Sequence, residues 1–334
     1  MLRRYASGAA SAEPNNPGSC VPSQPTLVPA DGSSTGPRVE SIAALDSTLL
    51  FGTADVSSFS GPGGATDVQD PDIITLTAAG VNSNSHAGRE PLSKRGLAYN
   101  DVGLTNTFRT RCPRCSRAYN WASGAGELSL DLSFVPMLWS GSAEHTGAWE
   151  ANMARAIARG SSAILSFNEP DRADQANMSP EEAALSHIQH LNPYRGKVMI
   201  GAPSVTNSRE YGQGLDWLSA FFDACAQQEQ DCAVDFCPVH WYSGANNGGA
   251  FWTADLLQHL SKAHEACGWR PVWLTEFAVP GSSEEIEAFL RDALPKLENL
   301  DYLSAYFYFM VSVGSLMSSD TSLSPYGEVY ASLG

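Results

Sequence analysis

Eight short apolar runs separated by helix-like segments between residues 94 and 334 predict an α/β protein, a compact (β/α)8 TIM-type barrel. Two further observations favour a closed barrel over an open doubly wound sheet. The fourth and seventh runs end in glutamate motifs, Ser166-Phe167-Asn168-Glu169-Pro170-Asp171 and Trp273-Leu274-Thr275-Glu276-Phe277, and a barrel delivers side chains to its working face from such strand ends. The first run leads into Asn100-Asp101 rather than the glycine-rich turn of an open nucleotide-binding sheet.

In chain order the expected strands are 96–100, 116–121, 132–139, 163–168, 197–203, 234–241, 271–276 and 302–309, each an apolar run of strand length. The clearest amphipathic helices are 149–159, 180–190, 215–226, 254–267 and 284–297. Ser179-Pro180-Glu181-Glu182 is a helix start, with serine as cap, proline in the first turn and acids at the positive end of the dipole. Residues 101–115 look too short and too polar for a regular helix, so the first unit of the barrel is expected to be degraded.

Residues 1–93 read differently. Gly, Ser, Pro, Ala and Asp dominate there, in blocks such as Gly61-Pro62-Gly63-Gly64, and an irregular, low-complexity or disordered N-terminal tail is expected ahead of a catalytic domain over 94–334. Its apolar pieces, 49–51 and 73–76, are too isolated to form a core. The start, Met1-Leu2-Arg3-Arg4, has the charge of a secretory signal without the apolar stretch that should follow, so no signal peptide is assigned.

Composition narrows the function by exclusion. The 334 residues carry a formal net charge of −16, which argues against nucleic acid as partner because phosphate binding needs clustered Lys and Arg. No stretch approaches the roughly 20 apolar residues of a membrane span. Of seven cysteines, Cys112 and Cys115 have the spacing of half a zinc site, but no second pair follows, so no metal is expected. Cys225 and Cys232 close a short loop and suit a disulfide in an oxidising compartment, which the sequence leaves open.

Paired glutamates at two strand ends across one cleft are the minimal equipment for cutting a glycosidic bond. Glu169, before the turn fixed by Pro170, is the expected acid/base, and Glu276 the nucleophile kept ionised. Asn168 offers an amide to a sugar hydroxyl. The other strand ends are crowded with aromatic and amide side chains: Tyr99, Asn100, Asn120, Trp121, Trp139, His240, Trp241, Tyr242 and Tyr308, with Phe309 beside it. Aromatic rings match the flat C–H faces of sugars, and Trp121, Trp139 and Tyr242 fall where strands turn into loops. His240 either bonds a carboxylate or sugar hydroxyl or is a satisfied core histidine. The loop 243–249 lies at the right face to line the cleft, and Asn177-Met178-Ser179 is a glycosylation sequon of value only in a secreted protein.

Seven motifs in order, Arg95-Gly-Leu-Ala-Tyr-Asn100, Ala118-Tyr-Asn-Trp121, Phe134-Val-Pro-Met-Leu-Trp139, Phe167-Asn-Glu-Pro-Asp171, Asn177-Met-Ser-Pro180, Val239-His-Trp-Tyr242 and Trp273-Leu-Thr-Glu-Phe277, resemble glycoside hydrolase family 128, endo-β-1,3-glucanases of clan A. The resemblance runs from about Lys94 to the carboxyl terminus. It implies a retaining mechanism, a β-1,3-glucan polysaccharide or oligosaccharide as substrate, no cofactor, and the same roles for Glu169 and Glu276. Two positions depart from the family pattern: Arg117 stands where an aromatic is expected, and Ala305 where an arginine is common. The protein expected is a secreted or cell-wall-associated endo-β-1,3-glucanase, monomeric because nothing in the sequence signals oligomerisation. The alternatives are a barrel that holds β-1,3-glucan without cutting it, and a glycosidase or transglycosylase on another β-glycan.

Overall fold

A computed structural model describes residues 93–244 and 248–333; residues 1–92 of the expected 1–93 tail and loop residues 245–247 lie outside the described residues. All eight expected strands are present: β1 (Arg95–Tyr99), β2 (Arg117–Tyr119), β3 (Ser133–Phe134), β4 (Ala163–Ile164), β5 (Met199–Ile200), β6 (Cys237–Tyr242), β7 (Val272–Ala278) and β8 (Leu303–Val311). Around them lie α1 (Val102–Arg111), α2 (Ala143–Thr146), α3 (Trp149–Ala158), α4 (Pro180–His190), α5 (Leu215–Ala226), α6 (Gly248–Ala266), α7 (Ser283–Glu298) and α8 (Pro325–Ser332).

Every strand pairing is parallel. One ladder runs β3-β2-β1-β8-β7-β6 and a second joins β4 to β5. The two are linked by single bridges, Met137 to Leu165 between the third and fourth strands, and Gly201 to Phe236 and Val205 to Val239 between the fifth and sixth. Leu165 N donates to Pro136 O at 2.8 Å and Ala202 N to Phe236 O at 2.9 Å across these joints. The strands therefore follow one another round a (β/α)8 ring in sequence order. Pro136 and Pro203 bring no N–H to the ladder, which keeps the regular pairing of β3 and β5 short.

Alternation along the strands sorts the core into two layers. Ala98, Tyr119, Val135, Leu165, Phe236, Trp273 and Phe307 fill the ring. Their neighbours Leu97, Ala118, Ile164, Leu274 and Tyr306 pack outward on the helices. Gly96 is small for a reason, since a Cβ there would lie 2.0 Å from Cε1 of Phe307. Arg117 and Ala305, the two departures from the family pattern, meet at one place. The Arg117 guanidinium stands 5.2 Å from the Trp273 ring centroid, Ala305 pairs with Trp273 in register, and burial pulls the Arg117 pKa down to about 10.

The first helix corrects one expectation. Residues Val102–Arg111 do form α1, because Asp101 caps it, accepting from Leu104 N at 3.0 Å, and Thr105 and Phe108 are buried while the polar face is left to solvent. The degraded unit is the second, since no helix separates β2 from β3. Disulfides join Cys112 to Cys115, Cys225 to Cys232 and Cys237 to Cys267. The pair read as half a zinc site is thus a cross-link closing the turn after α1. Among the described residues no helix is long and apolar enough to cross a membrane.

Candidate active site

At the carboxyl ends of the strands, Glu169, His240 and Glu276 come together, all three buried. Glu169 follows β4 in the left-handed region at φ 41°, a conformation that a non-glycine residue keeps only when its surroundings fix it. Here Glu169 N donates to Ser204 O at 2.7 Å, and Asn168 N to Trp139 O at 2.9 Å. Glu276 sits on β7 in register with His240 on β6. Alternation from Phe236 turns His240 into the mouth of the ring, and a register shift in β7 between Leu274 and Phe277 turns Glu276 the same way.

His240 bridges the two acids. Its Nδ1 is 2.9 Å from Glu169 Oε1 and its Nε2 is 3.5 Å from Glu276 Oε1. One oxygen of each carboxylate and a ring nitrogen lie within 4.8 Å of one another. Burial lowers the imidazole pKa, but the charge of Glu276, together with the hydrogen bond and charge of Glu169, outweighs it and leaves the pKa raised. Donors of this kind can chelate a divalent cation, although here Nδ1 is already engaged with Glu169.

The two glutamates differ in what they touch. Glu276 accepts from Trp121 Nε1 at 2.7 Å and from the Tyr242 hydroxyl at 2.6 Å, one donor to each oxygen. Burial and the neighbouring Glu276 push the Tyr242 pKa far up, so its hydroxyl remains a neutral donor. Glu169 has His240 on one oxygen and the Arg172 guanidinium 3.6 Å from the other. Arg172 is itself held by Asp174. Next door, Asn168 donates to Gln175 at 3.2 Å, while its Oδ1 is buried without a partner.

Not every residue expected at the cleft is there. Trp121, Asn168, His240 and Tyr242 converge on the two glutamates, and Trp139 stands at the end of the third strand with its ring 5.1 Å from that of His145. Asn100 is exposed at the rim, 3.8 Å from Met310 Sδ. Asn120 donates to Gly124 O and accepts from Ala122 N, so its amide shapes its own turn. Tyr99, Trp241 and Tyr308 point the other way, into the layer between strands and helices. Tyr99 donates to Ala125 O, Trp241 to Asp255, and Tyr308 packs against Tyr326 and Tyr330. Each lies one residue out of phase with the cleft face.

That phase also decides between Tyr308 and Phe309, the two aromatics expected at the end of the eighth strand. Phe309, one residue beyond Tyr308, faces inward with its ring 5.6 Å from Trp121 and 5.7 Å from Tyr242. The odd-numbered positions of β8, counted from Phe307, were the signal that finds it. Arg172 had no sequence signal, because its approach to Glu169 depends on the turn after Pro170.

Similarities to known proteins agree with this geometry. A family model described as the glycosyl hydrolase catalytic core matches residues 96–330. A curdlan-specific exo-β-1,3-glucanase of glycoside hydrolase family 128, subgroup III, from Blastomyces gilchristii, solved with glucose, is 35% identical, with a TM-score of 0.65 over 73% of this chain and 100% of that one. An endo-β-1,3-glucanase of subgroup I from Amycolatopsis mediterranei, solved with laminaritriose, is 28% identical, with a TM-score of 0.61 over 72% and 100%. A subgroup IV endo-β-1,3-glucanase from Lentinula edodes is 25% identical, with a TM-score of 0.57 over 71% and 98%. No curated protein sequence matches the chain. The barrel, the acidic pair at its mouth and the 35% identity to a family member over that member's whole length make this chain a glycoside hydrolase of family 128.

Proposed function

We propose that the protein hydrolyses internal β-1,3-glucosidic bonds of β-glucan with retention of configuration, Glu169 acting as acid/base and Glu276 as nucleophile. The observation that carries this reading is the spacing of the carboxylates, with oxygens of the two groups within 4.8 Å of each other. Retention needs carboxyl groups about 5 to 5.5 Å apart, whereas inversion leaves about 6.5 to 9.5 Å for a water.

The hydrogen bonds support the division of roles. Two neutral donors, one on each oxygen, fix the Glu276 carboxyl group as an acceptor facing the cleft, the orientation that attack on the anomeric carbon requires. The C–O bond to the leaving sugar breaks as Glu169 gives its proton to the departing oxygen. A glucosyl ester on Glu276 results. Glu169, now ionised, takes a proton from water as that water attacks the anomeric carbon, and Glu276 leaves as the free carboxylate. The unpartnered Oδ1 of Asn168 suits a sugar hydroxyl, and Trp121, Tyr242 and Phe309 supply an aromatic wall. Three disulfides support a secreted or wall-associated location, because such bonds persist in oxidising compartments.

Incubation with laminarin, curdlan, xylan and mannan tests the assignment, repeated with Glu276→Gln. Soluble oligosaccharides from the β-1,3-glucans alone, abolished by the substitution, are expected. Release from xylan or mannan only would overturn the substrate, and activity surviving the substitution would overturn the nucleophile. The relative from Blastomyces gilchristii is an exo-enzyme, which favours a second reading, attack from chain ends. A ladder of oligosaccharides at early times supports internal cleavage; a single short product supports the exo reading.

A further inference from the structure

The turn between α6 and β7 lies at the amino ends of the strands, opposite the glutamates, and presents an aromatic that the fold does not use. Trp269 is 69% exposed and holds φ 63°, the left-handed region that a bulky side chain rarely enters. Gly268, at φ 62°, already supplies the left-handed glycine that ends α6, so Trp269 adds a second left-handed residue. The turn is clamped from several sides. Cys267 is bonded to Cys237 of β6, Trp269 N donates to His264 O at 2.9 Å, and His264 Nδ1 donates to Arg270 O at 2.9 Å. The His264 ring stacks on half-buried Tyr302 with centroids 4.5 Å apart at 9°. It meets the Trp269 indole at 5.2 Å and 89°.

A strained, exposed indole on a cross-linked turn, backed by two more rings, has the form of a preorganised binding platform. We propose that Trp269, with His264 and Tyr302 behind it, is a second carbohydrate-binding site that holds a glucan chain outside the cleft; the choice of glucan rests on the function proposed above. A pyranose ring offers the flat C–H face that an indole covers, and exposed Glu265 in the same turn brings a carboxylate for ring hydroxyls, while Arg270 is tied to Cys267 O at 2.8 Å and lies over the Phe222 ring. The formal charge of −16 disfavours an acidic polymer. A protein partner needs about 1,000 Å² of complementary surface, and Trp269 is flanked by exposed Gly268 and Arg270 rather than by an apolar patch. The site would keep the enzyme on a particulate polymer while the cleft works on one chain.

The test compares Trp269→Gly with the parent, both in the full chain carrying Glu276→Gln so that particles are not eroded. Glycine tolerates the left-handed turn, so the fold is kept. The expected result is three- to tenfold weaker binding to curdlan particles, about the worth of one stacked aromatic. Trp269→Gly alone should hydrolyse soluble laminaripentaose with unchanged kcat/KM. Undiminished curdlan binding would overturn the site, as would an equal loss on laminaripentaose or a change in oligomeric state caused by the substitution. A parent enzyme that leaves laminaripentaose intact but cuts another β-glycan would sink the substrate reading alone. The binding comparison on particles of that glycan would then decide the platform by the same outcomes.

Discussion

Glu169 and Glu276 carry the same carboxyl group but differ in their neighbours. Tyr242 and Trp121 hold Glu276 as an acceptor on both oxygens, while Glu169 is kept in a left-handed turn by backbone bonds to Ser204 and its own preceding residue's tie to Trp139. In the proposed roles, removing the acid and removing the nucleophile have different signatures. Glu169→Gln should slow laminarin hydrolysis by about 10² to 10⁴-fold, yet leave the glycosylation step on an aryl β-glucoside with a good leaving group nearly intact, seen as a burst of released phenol. Equal losses on both substrates would reassign Glu169. Much of this site was readable because glutamate, histidine and tryptophan at strand ends are chemically conspicuous. What was not readable was phase. Tyr99, Trp241 and Tyr308 are as aromatic as Trp121, Tyr242 and Phe309, and only the alternation of side chains tells which of two neighbours enters the cleft.

At the scale of elements, periodicity located nearly every strand and helix, and misjudged those whose reason lies in tertiary contacts. The α1 sequence is polar, but a cap and two buried side chains suffice. The helix α8 was not anticipated, and Arg95 ties it down by donating to Tyr330 O at 2.6 Å. On α4, His187 is fully buried and donates to Ala233 O at 2.8 Å; burial pulls its pKa down to about 4. The unfolded chain, near the ordinary 6.5, then binds the proton more readily, so this histidine's contribution is fully present above about pH 6.5 and fades as pH falls towards 4. Between pH 7 and pH 4.5 the wild type should lose roughly 2 to 3 kcal/mol through it, measured by urea unfolding. His187→Gln should remove that share of the slope, leaving the share from His259, whose pKa burial also lowers to about 4. An unchanged slope would show that His187 is not the sensor.

For the whole molecule, eight apolar runs implied the ring, but not how it is joined. Proline-interrupted strands leave β4 and β5 attached to the rest by single bridges, a detail that depends on backbone geometry more than on hydrophobic pattern. Ring closure matters to the proposed function, because the fourth and seventh strands must be held across one mouth for Glu169 and Glu276 to come within reach of the same bond. That closeness, with His240 between them, leaves little room for a water between carboxylate and sugar and is the basis on which retention is proposed. The anomer first released from a reduced laminari-oligosaccharide, followed by proton NMR before mutarotation, tests this most directly. The β-anomer appearing first is the predicted result; the α-anomer appearing first would contradict it.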